Sequence, residues 1–312
     1  MMDAGMNHVA KRTITALTTA AGVVVLFLWC PLRAIPALLL ALSTLVQLEF
    51  YMMARRRYNP VTWFGLAMGA IWIVASAAWP AMDISIVNFL FGLPVFIVVS
   101  FFLLALTVLF SGKYKAPIGT FAVTLAGFFY VPFMVSFFLR TIQTAGQVTM
   151  LDSPWFAMPA MRTGLYTLFA LLAATKVSDM GGFAFGLAFG RHKMFPSVSP
   201  KKSWEGFAGS VLGACVVSSI FCWIAGRDGW AADCSFWGFA TYPRAIAAGA
   251  AIATFGTLGD LVESRFKREC GVKDSGTFMP AGMGGFLDMF DSILFIPALV
   301  YPLICWAQMS GR

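Results

Sequence analysis

"VNFLFGLPVFIVVSFFLLALTVLF", Val87–Phe110, runs for 24 residues without one charged side chain. As a helix it is long enough to cross a hydrocarbon core about 30 Å thick. The same texture extends outward in both directions. Of the 312 residues, 59% are hydrophobic and 12% charged, and the mean hydropathy is +0.80, whereas a soluble domain carries roughly 25% charged residues. This composition excludes an ordinary soluble protein. It implies an all-α fold, a polytopic integral membrane bundle.

Hydropathy and flanking signals place about nine transmembrane helices, near residues 13–30, 34–53, 61–80, 87–110, 117–139, 163–190, 206–226, 244–266 and 286–308. Lys11 and Arg12 precede the first apolar run as in a signal sequence. No small-residue cleavage site follows convincingly and more spans do, so a retained helix is expected. The net charge of +8 does not point to nucleic acid, because the basic residues are scattered among spans and form no aromatic-interleaved face. They instead set orientation. With the N-terminus cytoplasmic, Lys11/Arg12, Arg55–Arg57, Lys113/Lys115, Arg191/Lys193/Lys201/Lys202 and the Arg265–Lys273 cluster fall on one side, as the positive-inside rule requires. The six cysteines (Cys30, Cys215, Cys222, Cys234, Cys270, Cys305) show no CxxC spacing and are expected as reduced packing residues.

The chain divides by chemistry at about Pro159. Residues 1–159 form a scaffold of apolar spans with short basic loops, in which Glu49 is the single acid inside a span and is expected to remain wet near an interface. Residues 160–312 form the catalytic region, because ionisable residues (Lys176, Asp179, Asp260, Glu263, Asp288, Asp291) enter or abut its spans. Charges inside a bilayer cost about 2.5–3.5 kcal/mol each on insertion scales, so clustered charges of both signs mark a functional path.

Asp288 and Asp291 are three residues apart and project from one helical face. One or two carboxylates completed by substrate phosphates form the Mg²⁺ pattern, with room for a second cation; acids favoured at a solvated helix N-terminus are the alternative. Asp260, Glu263 and Lys267 form a stripe on the preceding span, and Arg268 and Lys273 add positive charge. Between them, glycines including Gly284 and Gly285 permit close approach to a ligand. Together these groups suit a nucleoside triphosphate with Mg²⁺, beside the plainer reading of salt bridges on a loop. The other polar loop offers Arg191, His192, Lys193, Lys201, Lys202 and Ser203 to phosphates; its alternative is orientation alone. Lys176 and Asp179, one turn apart, read as an ion pair or a polar wall.

The stretch from Ser264 resembles the signature of the CDP-diacylglycerol synthases, or phosphatidate cytidylyltransferases: S-x-apolar-K-R-x4-K-D-x-small-x2-apolar-P-x-H-G-G-x2-D-R-x-D. Ser264, Phe266, Lys267, Arg268, Lys273, Asp274, Gly276, Met279, Pro280, Gly284, Gly285, Asp288 and Asp291 occupy it. Gly259–Asp260 and "SPKKSWEG", Ser199–Gly206, are also similar to that family. The sequence departs at three points: one extra residue lies between Pro280 and Gly284, Met283 replaces His, and Met289 replaces Arg. The resemblance implies that CTP and phosphatidate give CDP-diacylglycerol and pyrophosphate at the cytoplasmic face of a bacterial inner membrane. It implies Asp288 and Asp291 as metal ligands and Asp260 with Lys267 as a catalytic polar pair. Substrate contacts would come from Lys193, Ser199, Lys202, Ser203, Glu205, Ser264, Arg268, Lys273, Asp274, Gly284 and Gly285. A homodimer through the first half is a further expectation. The rival readings are a CTP-dependent polyprenol or lipid kinase, which would release CDP, and a lipid-binding or transport paralogue.

Overall fold

Prolines and glycines punctuate the helices. The computed structural model describes residues 34–78, 85–114, 116–146, 159–227, 241–276 and 285–310. Among these, α1 (Ala34–Ala54), α2 (Thr62–Ala78) and α3 (Ser85–Ser111) are followed by α4 (Pro117–Phe128), which runs through a π turn (Phe129–Phe133) into α5 (Met134–Gly146). Then come α6 (Pro159–Phe189), β1 (Lys193–Phe195), β2 (Ser199–Ser203), α7 (Trp204–Arg227), α8 (Tyr242–Glu269) and α9 (Phe286–Ser310). Eight of the expected spans coincide with these helices; the first, 13–30, lies outside the described residues. Among the described residues six helices are long and apolar enough to cross a membrane, and α2 is a shorter apolar one. The chain is an all-α integral membrane protein.

Local chemistry explains the boundaries. Pro117 and Pro243 stand in the first turns of α4 and α8, where a missing N–H costs no hydrogen bond and the fixed φ suits a helix. Pro132 lies inside the π turn. Its ring displaces the regular ladder and the turn takes up the extra residue. Gly112 and Gly271, with φ of 57° and 70°, follow the ends of α3 and α8, a left-handed position that glycine adopts without steric cost.

The polar loop between α6 and α7, expected only as a loop, is an antiparallel hairpin pairing Lys193 with Ser203 and Phe195 with Ser199. Pro196 nucleates its turn: the Val198 N–H donates to the Phe195 carbonyl at 3.1 Å, and proline at the second position of a turn presets φ.

The main core gathers Ile35, Leu39, Val46, Phe50 and Tyr51 of α1 against α2, α5, Leu168 of α6 and Leu287, Ile293 and Leu294 of α9. Tyr51 is fully buried. Its hydroxyl donates to the Thr124 carbonyl at 2.7 Å and accepts from Gln47 Nε2 at 3.2 Å, so a polar group inside an apolar bundle is satisfied. The described cysteines are free thiols, and Cys222 and Cys305 are buried.

The second half is held more tightly. A Cβ at Gly209 of α7 would lie 2.5 Å from Phe185 Cβ and 2.6 Å from the Gly181 carbonyl of α6, and one at Gly249 of α8 would lie 2.7 Å from Cys215. These helices meet backbone to backbone, which maximises dispersion where lipid leaves little hydrophobic drive. Gly209→Leu should therefore cost about 1–3 kcal/mol by overpacking. It is read as a lowered unfolding temperature and reduced monodispersity in detergent. Gly226→Ala, at a position with nothing within 4 Å of the added carbon, should leave both unchanged.

Candidate functional site

The polar site forms where α8 ends and α9 begins. The end of α8 is fixed by two backbone hydrogen bonds: Val272 N–H to the Lys267 carbonyl at 2.9 Å, and Gly271 N–H to the Arg268 carbonyl at 3.1 Å. This is the glycine-terminated closure that satisfies the last carbonyls of a helix. Val272 and Phe266 both pack on the main core, so the last turn of α8, carrying Lys267, is anchored from inside.

The start of α9 is fixed by Asp288. Its Oδ2 accepts from the backbone N–H of Gly285 at 2.7 Å, and from that of Ser275 at 3.2 Å. A carboxylate three residues into a helix that reaches back to the N-cap amide is one half of a capping box. Asp288 Oδ1 accepts from Lys267 Nζ at 2.8 Å, and the same ammonium pairs with Glu263 one turn earlier on α8. Lys267 thus joins the two helices. The Glu263 side chain is 0% exposed and that of Lys267 11%, so the pair sits in a low-dielectric setting where each charge depends on the other.

A cavity of about 360 Å³ opens beside this junction. Lys176, Asp179, Gly182 and Gly186 of α6 line one wall, Lys201, Lys202 and Ser203 of the hairpin another, and Thr257, Asp260, Asp288, Asp291 and Ser292 a third. Lys202 Nζ pairs with Asp260 Oδ2 at 2.6 Å and donates to the Thr257 carbonyl at 3.1 Å. Lys176 Nζ lies 3.5 Å from Asp179 and donates to the Met289 carbonyl at 3.2 Å. The Ser292 hydroxyl donates to Asp179 at 2.9 Å. Asp291 differs from these acids: it is 9% exposed, its Oδ1 accepts from the Ser292 N–H, and no cationic side chain among the described residues pairs with it.

Asp260, Glu263 and Asp291 each turn one carboxylate oxygen to within 4.8 Å of the others. Three hard oxygen donors suit a divalent cation that takes oxygen ligands. The crowding of three carboxyl groups supplies the electrostatic reason for one.

The residues expected from sequence separate into distinct groups. Asp260, Lys267, Lys202, Asp288 and Asp291 converge at the junction. Asp288 stands apart from the cation-ready carboxylates because both its oxygens are engaged by Lys267 and by backbone donors of the first turn. Lys267 pairs with Glu263 and Asp288, while Asp260 pairs with Lys202. The Ser264 hydroxyl donates to Asp260 Oδ1 at 3.4 Å. Ser203 is buried and its hydroxyl accepts the Gly206 N–H at 3.2 Å, the N-cap of α7. Glu205 accepts from His192, backbone and ring. Lys193, Arg268, Lys273 and Asp274 are exposed, and Ser199 is half-buried in β2. Gly285 is buried at the start of α9, and Gly284 lies outside the described residues. Glu263 was absent from the ligands expected, although its place three residues after Asp260 was the signal that could have included it.

A family model described as the cytidylyltransferase family matches residues 10–306. The phosphatidate cytidylyltransferase of Mycobacterium bovis is 39% identical over 130 residues, which cover 41% of this chain and 37% of that protein. Its counterpart of the same name in Mycobacterium leprae is 36% identical over 152 residues, covering 48% and 42%. That of Bacillus subtilis is 37% identical over 141 residues, covering 45% and 48%. The aligned part therefore spans less than half the length of each of these curated relatives.

Lys267→Met leaves Glu263 buried without its cation. Breaking such a pair costs about 3–5 kcal/mol, so a large fall in unfolding temperature is expected. Adding Glu263→Gln should recover much of it. Strictly additive losses in the double-mutant cycle would show that the two side chains do not act as a pair.

Proposed function

Because the chain belongs to the cytidylyltransferase family, we propose that it joins CTP to phosphatidate, forming CDP-diacylglycerol and releasing pyrophosphate. The observation that carries this reading is the arrangement of one cavity, where Asp260 and Asp291, whose carboxylates converge with that of the buried Glu263, share the lining with Lys176, Lys201 and Lys202. The cations suit phosphates, and the hard oxygen ligands suit Mg²⁺.

The reaction is a displacement at phosphorus. A phosphate oxygen of phosphatidate forms a bond to the α-phosphorus of CTP while the bond from that phosphorus to the α–β bridging oxygen breaks, and pyrophosphate departs with the electron pair. A lipid phosphomonoester with a second pKa of about 6 is largely dianionic at neutral pH. No side chain needs to remove a proton, so the residue Met283 in place of a histidine leaves the chemistry intact. Alignment and charge neutralisation are then the whole task.

Asp260, Glu263 and Asp291 would hold the divalent cation, which when bound neutralises charge growing on the departing pyrophosphate. Lys201 and Lys202, delivered by the hairpin, and Lys176 of α6 bind phosphate oxygens. Lys267 holds Glu263 in place, and through Asp288 holds α9 in register with α8. The long apolar helices leave the diacyl tails in the bilayer while the headgroup enters the cavity.

We place the site on the cytoplasmic face of a bacterial inner membrane. Arg57 Nη1 donates to the Glu269 carbonyl at 3.2 Å, which brings the arginine cluster after α1 to the same end as the basic hairpin and the close of α8. Such an accumulation of Lys and Arg accords with the cytoplasmic side.

The test is pyrophosphate release by purified protein in detergent with CTP, phosphatidate and Mg²⁺. Release that needs all three, and that falls by at least about 100-fold in Asp291→Asn, is the expected result. Release of CDP in its place would assign a lipid kinase, and silence from folded protein would overturn nucleotidyl transfer.

A further inference from the structure

Glu49 lies in α1, within the half of the chain that sequence reading treats as scaffold, and was expected to be wet. The structure corrects that: Glu49 is 0% exposed. Its Oε2 accepts the backbone N–H of Leu287 at 2.9 Å, across 238 residues of sequence. Leu287 is in the first turn of α9, one residue before Asp288.

A helix begins with amides that have no partner within it, and buried ones need an acceptor from elsewhere. A Ser, Thr, Asn or Asp side chain at the N-cap ordinarily provides it. Gly285, which occupies that place, has no side chain to offer. It has no room for one either: a Cβ there would lie 2.6 Å from Glu49 Oε2 and 2.8 Å from the Gly276 nitrogen. The acceptors for this turn therefore come from two carboxylates. Asp288 takes the Gly285 N–H and Glu49 takes the Leu287 N–H. The Leu287 side chain is fully buried and belongs to the same core cluster as Phe50 and Tyr51, the neighbours of Glu49. Negative charge at a helix N-terminus also meets the positive end of its dipole. Packing alone would be served at lower cost by an apolar residue, since a carboxylate must be desolvated to sit there.

We propose that Glu49 is a positioning residue of the site: its carboxylate, held in α1, fixes the first turn of α9 and so the directions in which Asp288 and Asp291 project. The inference deepens the function proposed above and rests on that reading for its turnover and Mn²⁺ measurements, while the hydrogen exchange stands apart from it. It gives the N-terminal half a part in the site without contact with substrate.

The experiment compares wild type, Glu49→Leu and Glu49→Gln in the full chain in detergent. Three quantities are read: Mn²⁺ binding from the paramagnetic resonance of the free ion, hydrogen exchange of the amides in 285–291, and kcat with KM for CTP in pyrophosphate release. Glu49→Leu should weaken Mn²⁺ binding and lower kcat, each by about 10–100-fold, the usual effect of losing a group that orients metal ligands. The KM for CTP should stay within about threefold, because uniform substrate binding is untouched. Exchange should quicken at 285–291 and remain unchanged in α2. Glu49→Gln keeps an acceptor oxygen and should recover most of each loss. Wild-type Mn²⁺ affinity and exchange in folded Glu49→Leu would overturn the inference, as would equal impairment of the Gln and Leu variants. If Glu49→Leu does not fold, Glu49→Asp, which withdraws the acceptor by one methylene, should show intermediate losses, and wild-type values in it would overturn the proposal. Mn²⁺ binding that responds to Glu49 in a protein without pyrophosphate release would sink the proposed reaction and leave this inference standing.

Discussion

One ammonium group, Lys267 Nζ, ties together the two helices on which the polar site is built. It pairs with Glu263 on its own helix and with Asp288 at the start of the next. In an apolar bundle neither carboxylate is cheaply buried alone, and neither is the ammonium. The three charges therefore constrain one another, and the backbone positions that bring them together inherit the constraint. The closure of α8 at Gly271 and the capped turn of α9 at Gly285 are the two local structures that meet it.

Around that junction the protein assembles a cavity from elements of different stiffness. Two walls are helices, and α6 meets α7 backbone to backbone. The third is a short hairpin attached by the Trp204 N–H to the His192 carbonyl and by Glu205 to His192. The hairpin contributes Lys201 and Lys202, and the helices contribute the acids together with Lys176. The charges of the hairpin thus meet acids from separate structural units across the space between them. Lys202 and Asp260 already meet at 2.6 Å, so any anion that enters the cavity must compete with a carboxylate for that lysine.

Much of this was legible in the chain itself, for reasons of periodicity. A run such as Val87–Phe110 has one reading, because nothing polar interrupts it. The three-residue spacing of Asp288 and Asp291, and the stripe of Asp260, Glu263 and Lys267, announced a polar face at a helix end. What was illegible depends on contacts that no local pattern encodes. The hairpin pairing of Lys193 with Ser203 lies in a segment with two prolines and no apolar alternation. Lys202 of β2 reaches Asp260 of α8 with the whole of α7 between them in the chain. Asp288 and Asp291 read as an equivalent pair, yet the free amides of the first turn engage one and leave the other to the cavity. Glu49 looked dispensable because its partner is 238 residues away.

Three glycines of the α6–α7 seam, Gly182, Gly186 and Gly206, also line the cavity, so its width is set in part by side chains that are missing. The three are not equivalent. A methyl group at 206 would press on the Gly182 carbonyl at 2.9 Å, and one at 182 would run into Ser210, whereas a methyl at 186 would meet Ser203 Oγ at 3.6 Å and Gly206 Cα at 3.7 Å, ordinary contact distances. Position 186 is therefore a steric gauge: the bore of the chamber can be narrowed there by one methyl group while the helices that form it stay where they are.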